Sequence, residues 1–511
     1  MTHDNAQTVK APPGRASIAR NAFHLVFGQV VTTTLAILFS AALGRSLGAG
    51  DFGLYFLLTT FATFAYVVVD FGQTFYVIRE VARKPERGGE FLGTALALRV
   101  VGAVLLSAPV GFVSWALGYD ARTCWLSVAF IGVTLPFFLA QGFGMVFRGR
   151  DRMGLDAWVS VINKVAMLTL ALAALALGTG LAGVVIAQAL AGAMAIVAAI
   201  WLYRRVATGP VSWSWEAARE MIAGGAPILT MMIAASVQPY LDAIILSKLA
   251  PADAVGWFGA AKNIMGTLLA PALIIGAAAY PRLSRATLDG AALKGEVRAA
   301  LRPMLLLGAL AGAGTYLFGD AAIGIVYGQR NFGPAGTILK IFGPGLFLLF
   351  IDVLFGYALT ALGRTAAFSM VKIFSVLIST GLDFVLIPLF QRHTGNGGAG
   401  AVLAFVLSEV VVFGGAVFLM PRGSLRPGVA LDIARAVAAG VTTAFLIQFL
   451  PPIPLYLGIP LCVAVFAVLS AALGLVRRDD LFLLQASLRQ RGGGPPPAIA
   501  VEDAADRPTA A

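Results

Sequence analysis

Charged side chains interrupt the long apolar stretches of this sequence, and they are the residues most able to do chemistry. A charge inside a bilayer costs about 2.5 kcal/mol or more, so such residues are rare and usually functional. The positions concerned are Asp70, Arg99, Lys164, Asp242, Lys262, Lys340, Asp352, Asp383 and Glu409. Each has to be weighed against a structural role, because buried charges also pair with one another between helices.

Asp70, Arg99 and Lys164 form a first group with a net charge of +1. Counted along their predicted helices, all three lie roughly 10–12 Å from the cytoplasmic boundary. Arginine makes bidentate contacts with phosphate and lysine offers a point charge, so the group predicts a site for an anionic phosphate. In the alternative interpretation, an Asp70–Arg99 pair holds neighbouring helices together while Lys164 extends to the interface.

A second group is predicted near the opposite face of the membrane. Asp242 and Lys262 come from adjoining helices, and Lys340 and Asp383 lie at a similar depth. These residues could guide a headgroup outward along a cavity, or they could form the ion pairs of a gate. Charges near an interface are less costly to retain, which favours the gate or structural pairing.

Asp352 and Glu409 lie near the middle of the membrane, where a carboxylate is most costly. Such groups can carry a proton or bind Na⁺, so they are candidates for a coupling ion. The alternative is that both are protonated, hydrogen-bonded packing residues, because buried carboxyl groups often neutralise.

The composition requires a membrane environment for the elements that position these residues. Of the 511 residues, 59% are hydrophobic and only 12% are charged, about half the charged fraction of soluble domains. The net charge of +12 is spread over short segments between apolar runs, which argues against nucleic-acid binding. Phosphate-loop, metalloprotease, paired C-x-x-C and G-x-S-x-G motifs are absent. We therefore expect no enzyme activity, no cofactor and no metal site.

Hydropathy and charge predict an all-α polytopic membrane protein with about 14 transmembrane helices. Of the 37 Lys and Arg residues, 28 lie in or beside segments on one side of the predicted membrane and 5 on the other. The positive-inside rule therefore places both termini in the cytoplasm. The predicted spans are 21–44, 52–78, 91–113, 122–147, 157–178, 180–203, 221–247, 257–280, 304–327, 335–362, 366–390, 398–420, 434–451 and 455–476.

Two weak internal repeats divide the chain into halves. Leu47–Tyr55 and Leu249–Phe258 share Leu-x3-Asp followed by glycine and an aromatic residue, and Gly149-Arg150 is echoed by Gly363-Arg364. Both echoes are six helices apart and preserve sidedness, which indicates two parallel six-helix lobes. The predicted parts are an N-terminal segment 1–20, lobes 21–203 and 221–420, linkers 204–220 and 421–433, an extra helix pair 434–476 and a cytoplasmic, partly disordered tail 477–511.

The sequence around these repeats resembles bacterial polysaccharide flippases. The resemblance is carried by Leu43–Tyr55, Asp70-Phe-Gly72, Arg79–Ala82, Leu241–Leu249 and Val255–Phe258. These flippases belong to the multidrug/oligosaccharidyl-lipid/polysaccharide exporter superfamily. The resemblance implies a V-shaped pair of lobes, alternating access, and transfer of an oligosaccharide on undecaprenyl diphosphate to the outer leaflet of the bacterial inner membrane. The phosphate site at Arg99, Lys164 and Asp70 would then receive the diphosphate.

Other functions stay open at this stage. They are a lipid II flippase, a cation-coupled exporter of small molecules and, least favoured because no large outer loop is present, a membrane enzyme of glycan assembly. Expected partners are the lipid-linked oligosaccharide, H⁺ or Na⁺, membrane lipids and other membrane proteins of polysaccharide assembly.

Overall fold

The chain folds into packed α-helices, and its computed structural model describes residues 15–206, 209–287, 290–421, 427–450 and 454–475. Within these ranges there are fifteen α-helices and no β-strand. Most of the predicted N-terminal segment and all of the tail 477–511 lie outside the described residues. The helices are α1 Arg15–Asp70, α2 Gln73–Arg83, α3 Gly88–Ala116, α4 Ala121–Gly149, α5 Met153–Ala176, α6 Gly180–Val206, α7 Trp215–Ser236, α8 Gln238–Leu249, α9 Ala252–Ala286, α10 Gly290–Val326, α11 Gln329–Ala361, α12 Thr365–Thr394, α13 Gly397–Leu419, α14 Pro427–Gln448 and α15 Leu455–Ala472.

Helix α1 is two membrane crossings joined at a kink. Gly48 has φ 78° and ψ 177°, a conformation that glycine adopts without strain, and it separates two helical arms. The apolar part, Phe27–Asp70, has 44 residues, or about 66 Å of helix, whereas the hydrocarbon core is about 30 Å thick. One continuous crossing is therefore excluded, and the two arms correspond to the first two predicted spans.

The second arm ends earlier than the sequence predicted. The span 52–78 was expected to be continuous, but the helix stops at Asp70, and Phe71 and Gly72 both have positive φ, 32° and 86°. Helix α2 then begins with a new direction and buries one side, including Tyr76, Val77 and Val81. The prediction failed because residues 71–78 are apolar enough to continue a span. The break depends instead on the backbone conformation of Phe71 and Gly72, which hydropathy does not report.

Twelve of the described helices are long and apolar enough to cross a membrane. That number counts α1 once and omits α7 and α8, which are separated at Val237 by a proline in the first turn of α8. Taking the two arms of α1 separately adds one crossing, and taking α7–α8 as one broken crossing adds another. Counted in this way the described helices would make fourteen crossings; the exact number and the orientation stay predictions from hydropathy and charge.

The helices form two packed groups with the C-terminal pair at one side. In the first group α5 packs on α6, α4 on α6 and α1 on α5. In the second group α10 packs on α11, α12 on α13 and α9 on α11. The two groups meet mainly where α1 packs on α9, and α7 also contacts α2, α3 and α12; the predicted lobe boundaries stay a prediction.

The repeated segments of the two halves meet each other. A Cβ added to Gly53 would lie 2.3 Å from the carbonyl oxygen of Ala252, and one added to Gly256 would lie 2.1 Å from the carbonyl oxygen of Ala49. A side chain at either glycine would collide with the backbone of the other segment. The glycine that both repeats share is therefore what allows the close approach. The charge pattern predicts that this contact lies at the extracytoplasmic side, hereafter the outer side.

The C-terminal pair is attached to the second group through a buried carboxylate. Asp432 of α14 is 4% exposed and faces Arg298 and Arg302 of α10 at 3.4 and 3.7 Å, and Arg435 at 3.8 Å. The predicted helix pair is present as α14 and α15, although α14 begins at Pro427 rather than near residue 434.

Candidate functional site

Asp70 and Arg99 form a buried ion pair at the break between α1 and α2. Nη2 of Arg99 donates to Oδ1 of Asp70 at 2.6 Å and to Oγ1 of Thr74 at 3.2 Å, and Nη1 donates to the carbonyl oxygen of Phe138 at 2.6 Å. Oγ1 of Thr74 in turn donates to Asp70 at 2.7 Å. The guanidinium also lies over the Phe138 ring, 4.1 Å from its centroid. The pair therefore links α1, α2, α3 and α4.

The burial of Arg99 bears directly on the predicted phosphate site. Its side chain is 1% exposed, and both terminal nitrogens already donate to protein oxygens. The predicted cationic patch therefore does not present Arg99 to a cavity in this conformation. The geometry corresponds to the alternative interpretation, in which Asp70 and Arg99 hold neighbouring helices together.

Lys164 on α5 is not part of this ion pair. It is half-buried, and among the described residues its ammonium group has no hydrogen-bond or ion-pair partner. The preceding residue, Asn163, is buried, and the following residue, Val165, is exposed. A half-buried cation between the two faces is available to a ligand, so Lys164 remains the candidate of the first half for an anionic group.

Near the outer side of the second half, Asp242, Asp383 and Lys262 lie together. The carboxyl groups of Asp242 and Asp383 are within hydrogen-bonding reach of each other, and Lys262 attracts Asp242 electrostatically. Lys262 also faces the rings of Phe258 and Phe56 at 5.4 and 5.8 Å from their centroids. Because Phe56 belongs to the first half, Lys262 lies at the contact between the two halves.

Lys340 does not belong to this group, contrary to the sequence prediction. It forms a short ion pair with Asp320, so the two residues join α10 and α11 within the second half. Similar depth along two helices does not determine which way their side chains face, and this was the reason for the wrong grouping. Asp320 lies inside a predicted span and could have been recognised as the partner from its depth.

Asp352 and Glu409, the two candidates for a coupling-ion site, lie close together, and Lys372 lies beside them. Nζ of Lys372 donates to Oδ2 of Asp352 at 2.6 Å, and both residues interact electrostatically with Glu409. Glu409 is 3% exposed. Lys372 is one of the 28 basic residues counted in or beside cytoplasmic segments, but it lies inside α12, seven residues after the helix begins at Thr365.

Uncharged polar residues fill the space between these groups and were not identified from the sequence. Nε2 of Gln238 donates to Oγ of Ser408 at 2.7 Å, and Oγ of Ser375 donates to the carbonyl oxygen of Ser408 at 3.0 Å. Ser375 and Ser379 are both fully buried in α12. Their spacing from Lys372 and Asp383 on one helix face was the signal that could have revealed them.

No cofactor or metal centre emerges from this geometry. Across the described ranges, no group of three or more His, Cys, Asp or Glu residues is arranged to hold a metal ion. The two cysteines, Cys124 and Cys462, are free thiols on different helices.

Comparison with known proteins assigns the chain to a family. Residues 18–287, more than half of the chain, match the family described as polysaccharide biosynthesis protein. A probable low-salt glycan biosynthesis flippase of Haloferax volcanii is 23% identical over 400 residues, covering 77% of this chain and 81% of that protein. A putative O-antigen transporter of Shigella flexneri is 23% identical over 367 residues, covering 68% and 86%.

Solved structures support the same fold. The inward closed conformation of the lipid II flippase MurJ superposes with a TM-score of 0.67 at 13% identity, covering 89% of this chain and 98% of that one. An inward-facing multidrug transporter of the MATE family gives a TM-score of 0.64 at 16% identity, covering 78% and 97%. The relatives and the fold are those of transporters and flippases rather than enzymes. The chain belongs to the polysaccharide biosynthesis protein family and is a multi-pass membrane transporter with the fold seen in a lipid II flippase and in a multidrug transporter.

Proposed function

We propose that the protein is a flippase that moves an undecaprenyl-diphosphate-linked oligosaccharide from the cytoplasmic to the outer leaflet of the bacterial cytoplasmic membrane. The observation that carries this proposal is the family match over residues 18–287, together with relatives named for glycan and O-antigen transport. The cargo would serve cell-surface polysaccharide synthesis, alongside the transferases and polymerases that act on the same lipid. A lipid II flippase is the second candidate, because MurJ shares the fold over 89% of the chain.

Alternating access is supported by how the two halves meet. The contact made by Gly53 and Gly256 brings backbone to backbone, and aromatic pairs flank it across the two halves, Phe52 with Phe332 and Phe56 with Phe258. The ion pairs inside each half, such as Lys340 with Asp320, can stay intact while the halves move. We infer that the halves move as units, that this contact opens and closes as they do, and that cargo passes between them.

Coupling to a cation is part of the proposal. Asp352 and Glu409 are buried carboxyl groups with Lys372 beside them, an arrangement whose charge changes when a proton or Na⁺ binds. The cation gradient would then supply the free energy for directional transport.

The function is tested by complementation of a strain that lacks its own oligosaccharide flippase. We expect the wild-type chain to restore surface polysaccharide when several lipid-linked donors are offered in separate strains. A chain that is present in the membrane yet restores none of them would contradict the proposal. Lipid II transport and drug export would then be tested in the same membranes.

Lys164 is expected to bind the diphosphate, and its substitution should lower transport. Lys164→Gln removes the charge, and because a hydrogen bond to a charged group contributes about 1.5–3 kcal/mol, transport at limiting cargo should fall about tenfold or more. Lys164→Arg should retain most of the activity. The measurement is the initial rate of surface polysaccharide appearance at matched membrane abundance.

The control is Lys84→Gln, which removes an exposed lysine at the end of α2. It should leave the rate unchanged. Equal rates for Lys164→Gln and the wild type would contradict diphosphate binding by Lys164 and favour the alternative, in which its side chain extends to the membrane interface.

A further inference from the structure

A cleft opens on the first half at the end of α6, where the chain crosses towards α7. Its volume is about 690 Å³, within the range of sites that hold a small ligand. The residues that line it include Phe143 of α4, Tyr203 and Arg204 of α6, and Pro210 and Val211 of the segment between α6 and α7. The charge pattern predicts that this end of α6 lies on the cytoplasmic side.

The segment that follows α6 forms a fixed wall of the cleft. A Cβ added to Gly89 would lie 2.2 Å from the carbonyl oxygen of Pro210, and one added to Gly93 would lie 2.4 Å from that of Ser212. The amide of Ser212 also donates to the carbonyl oxygen of Gly89 at 3.4 Å. Residues 210–212 therefore lie directly on the start of α3, and the cleft is bounded by packed structure on both sides.

The cleft carries a positive charge that no neighbouring acid balances. Arg204 is exposed, and within the described ranges its guanidinium group has no hydrogen-bond or ion-pair partner. Among the described residues that line the cleft, none is an aspartate or a glutamate. A guanidinium group binds a phosphate through two parallel hydrogen bonds, so the charge suits an anionic phosphate.

Tyr203 adds a buried hydroxyl whose hydrogen-bonding capacity is unused. Its side chain is 5% exposed and packs on Phe143, with ring centroids 5.6 Å apart. The hydroxyl has no hydrogen-bond partner in the part of the chain that the structure describes. Because buried polar groups are normally hydrogen-bonded, an unpartnered hydroxyl at the wall of a cleft indicates a ligand that carries an acceptor atom.

Exposed tryptophans surround the cleft and indicate the level of the lipid headgroups. Trp201, Trp213 and Trp215 are all exposed, and the guanidinium of Arg205 lies over the Trp201 ring, 3.5 Å from its centroid. Tryptophan is enriched where the hydrocarbon core meets the headgroup layer. A cleft with a cation at this level and exposed apolar side chains such as Val211 beside it suits a molecule with an anionic head and apolar tails.

The position of the cleft separates it from the proposed route of the cargo. Helix α6 packs on α4 and α5, and residues 210–212 lie on α3, so the cleft is built on the first half alone. Cargo is proposed to pass between the halves. A ligand in this cleft would therefore stay with the first half during transport, as a resident lipid does.

We propose that this cleft binds an anionic phospholipid of the cytoplasmic leaflet, with the phosphate on Arg204 and a headgroup oxygen accepting from the hydroxyl of Tyr203. Basic pockets between transmembrane helices on the cytoplasmic side are typical sites for anionic headgroups. The bound lipid joins the end of α6 to the segment that leads into α7 and so stabilises the fold. This inference does not depend on which cargo is moved.

The test uses the full-length protein, purified in detergent and stripped of phospholipid. Phosphatidylglycerol or phosphatidylcholine is added back, and the midpoint of thermal unfolding is measured. We expect phosphatidylglycerol to raise the midpoint by several degrees more than phosphatidylcholine. In Arg204→Gln, the phosphatidylglycerol concentration that gives half of this rise should increase about tenfold, because a charge-assisted hydrogen bond is lost. Tyr203→Phe, which keeps the ring on Phe143, should increase it by a smaller factor.

The matched control is Arg152→Gln. Arg152 is an exposed arginine directly before α5, on the same predicted side of the membrane, and it does not line the cleft. The substitution removes the same charge from the protein. It should therefore need the same phosphatidylglycerol concentration as the wild type.

The outcomes distinguish a lipid site from a general effect of charge and from a cargo site. Equal midpoints in the two lipids would overturn the proposal, as would equal phosphatidylglycerol requirements for Arg204→Gln and Arg152→Gln. Displacement of bound phosphatidylglycerol by an equal amount of undecaprenyl diphosphate, followed by mass spectrometry of the intact protein, would overturn it in favour of a cargo site. A chain that shows the expected shifts yet fails complementation would keep the lipid site and reject only the oligosaccharide cargo.

Discussion

Arg99→Leu is expected to destabilise the folded protein by about 3–5 kcal/mol, the usual cost of breaking a buried ion pair from one side. The substitution leaves Asp70 buried at 6% exposure without its cation, and it removes the hydrogen bond to the backbone of Phe138. The measurement is the loss of monodisperse protein on heating in detergent. A loss of stability of this size should lower the midpoint by many degrees.

The double variant Asp70→Asn with Arg99→Leu distinguishes the two interpretations of the pair. It removes both charges, while an asparagine oxygen can still accept from the hydroxyl of Thr74. If the pair only holds helices together, the double variant should recover much of the stability and the transport. If Arg99 binds the diphosphate in another conformation, stability should recover and transport should not.

Arg79→Leu is the matched control for this series. Arg79 lies on α2, is 53% exposed and pairs with Glu80 at 3.0 Å. Because exposed ion pairs contribute about 0–1 kcal/mol, this change should hardly move the midpoint. A midpoint for Arg99→Leu that equals that of Arg79→Leu would contradict the role assigned to the buried pair.

The features that follow a one-dimensional pattern could be predicted from the sequence. Apolar stretches predicted the membrane class and the all-helical fold, because both depend only on composition along the chain; among the described residues twelve helices are long and apolar enough to cross. The repeats at Leu47–Tyr55 and Leu249–Phe258 predicted two related halves, and the structure brings these two segments into contact. The likeness to lipid flippases was also confirmed by the family match.

Features that depend on the direction of a side chain around its helix could not be predicted from depth alone. Lys340 has a depth similar to that of Asp383 but pairs with Asp320. Lys372 was counted with the cytoplasmic charges, yet its side chain pairs with Asp352 inside the second half. Buried serines such as Ser379 carry no charge and give no signal in hydropathy. Their burial becomes visible only when α12 is packed against its neighbours.

The contact between the halves predicts a reversible lock on transport. A Cβ added to Gly50 would lie 3.0 Å from Oδ1 of Asp253, so side chains at these two positions face each other across the contact. Cysteines there are suited to a test of disulfide formation, which needs a Cβ separation of about 3.5–4.5 Å. In a chain with Cys124→Ser and Cys462→Ala, Gly50→Cys with Asp253→Cys should lose nearly all transport on oxidation. Reduction should restore it, because alternating access requires the outer contact to open in every cycle.

A second disulfide within one half controls for oxidation and for cross-linking as such. A Cβ added to Gly415 of α13 would lie 3.2 Å from Cβ of Val371 of α12, so Gly415→Cys with Val371→Cys should cross-link inside the second half. This cross-link should leave transport close to that of the cysteine-free chain, since the halves can still separate. Undiminished transport with the Gly50–Asp253 disulfide fully formed would mean that the outer contact stays closed throughout the cycle. Cargo would then have to leave by a route that does not pass between the two repeats.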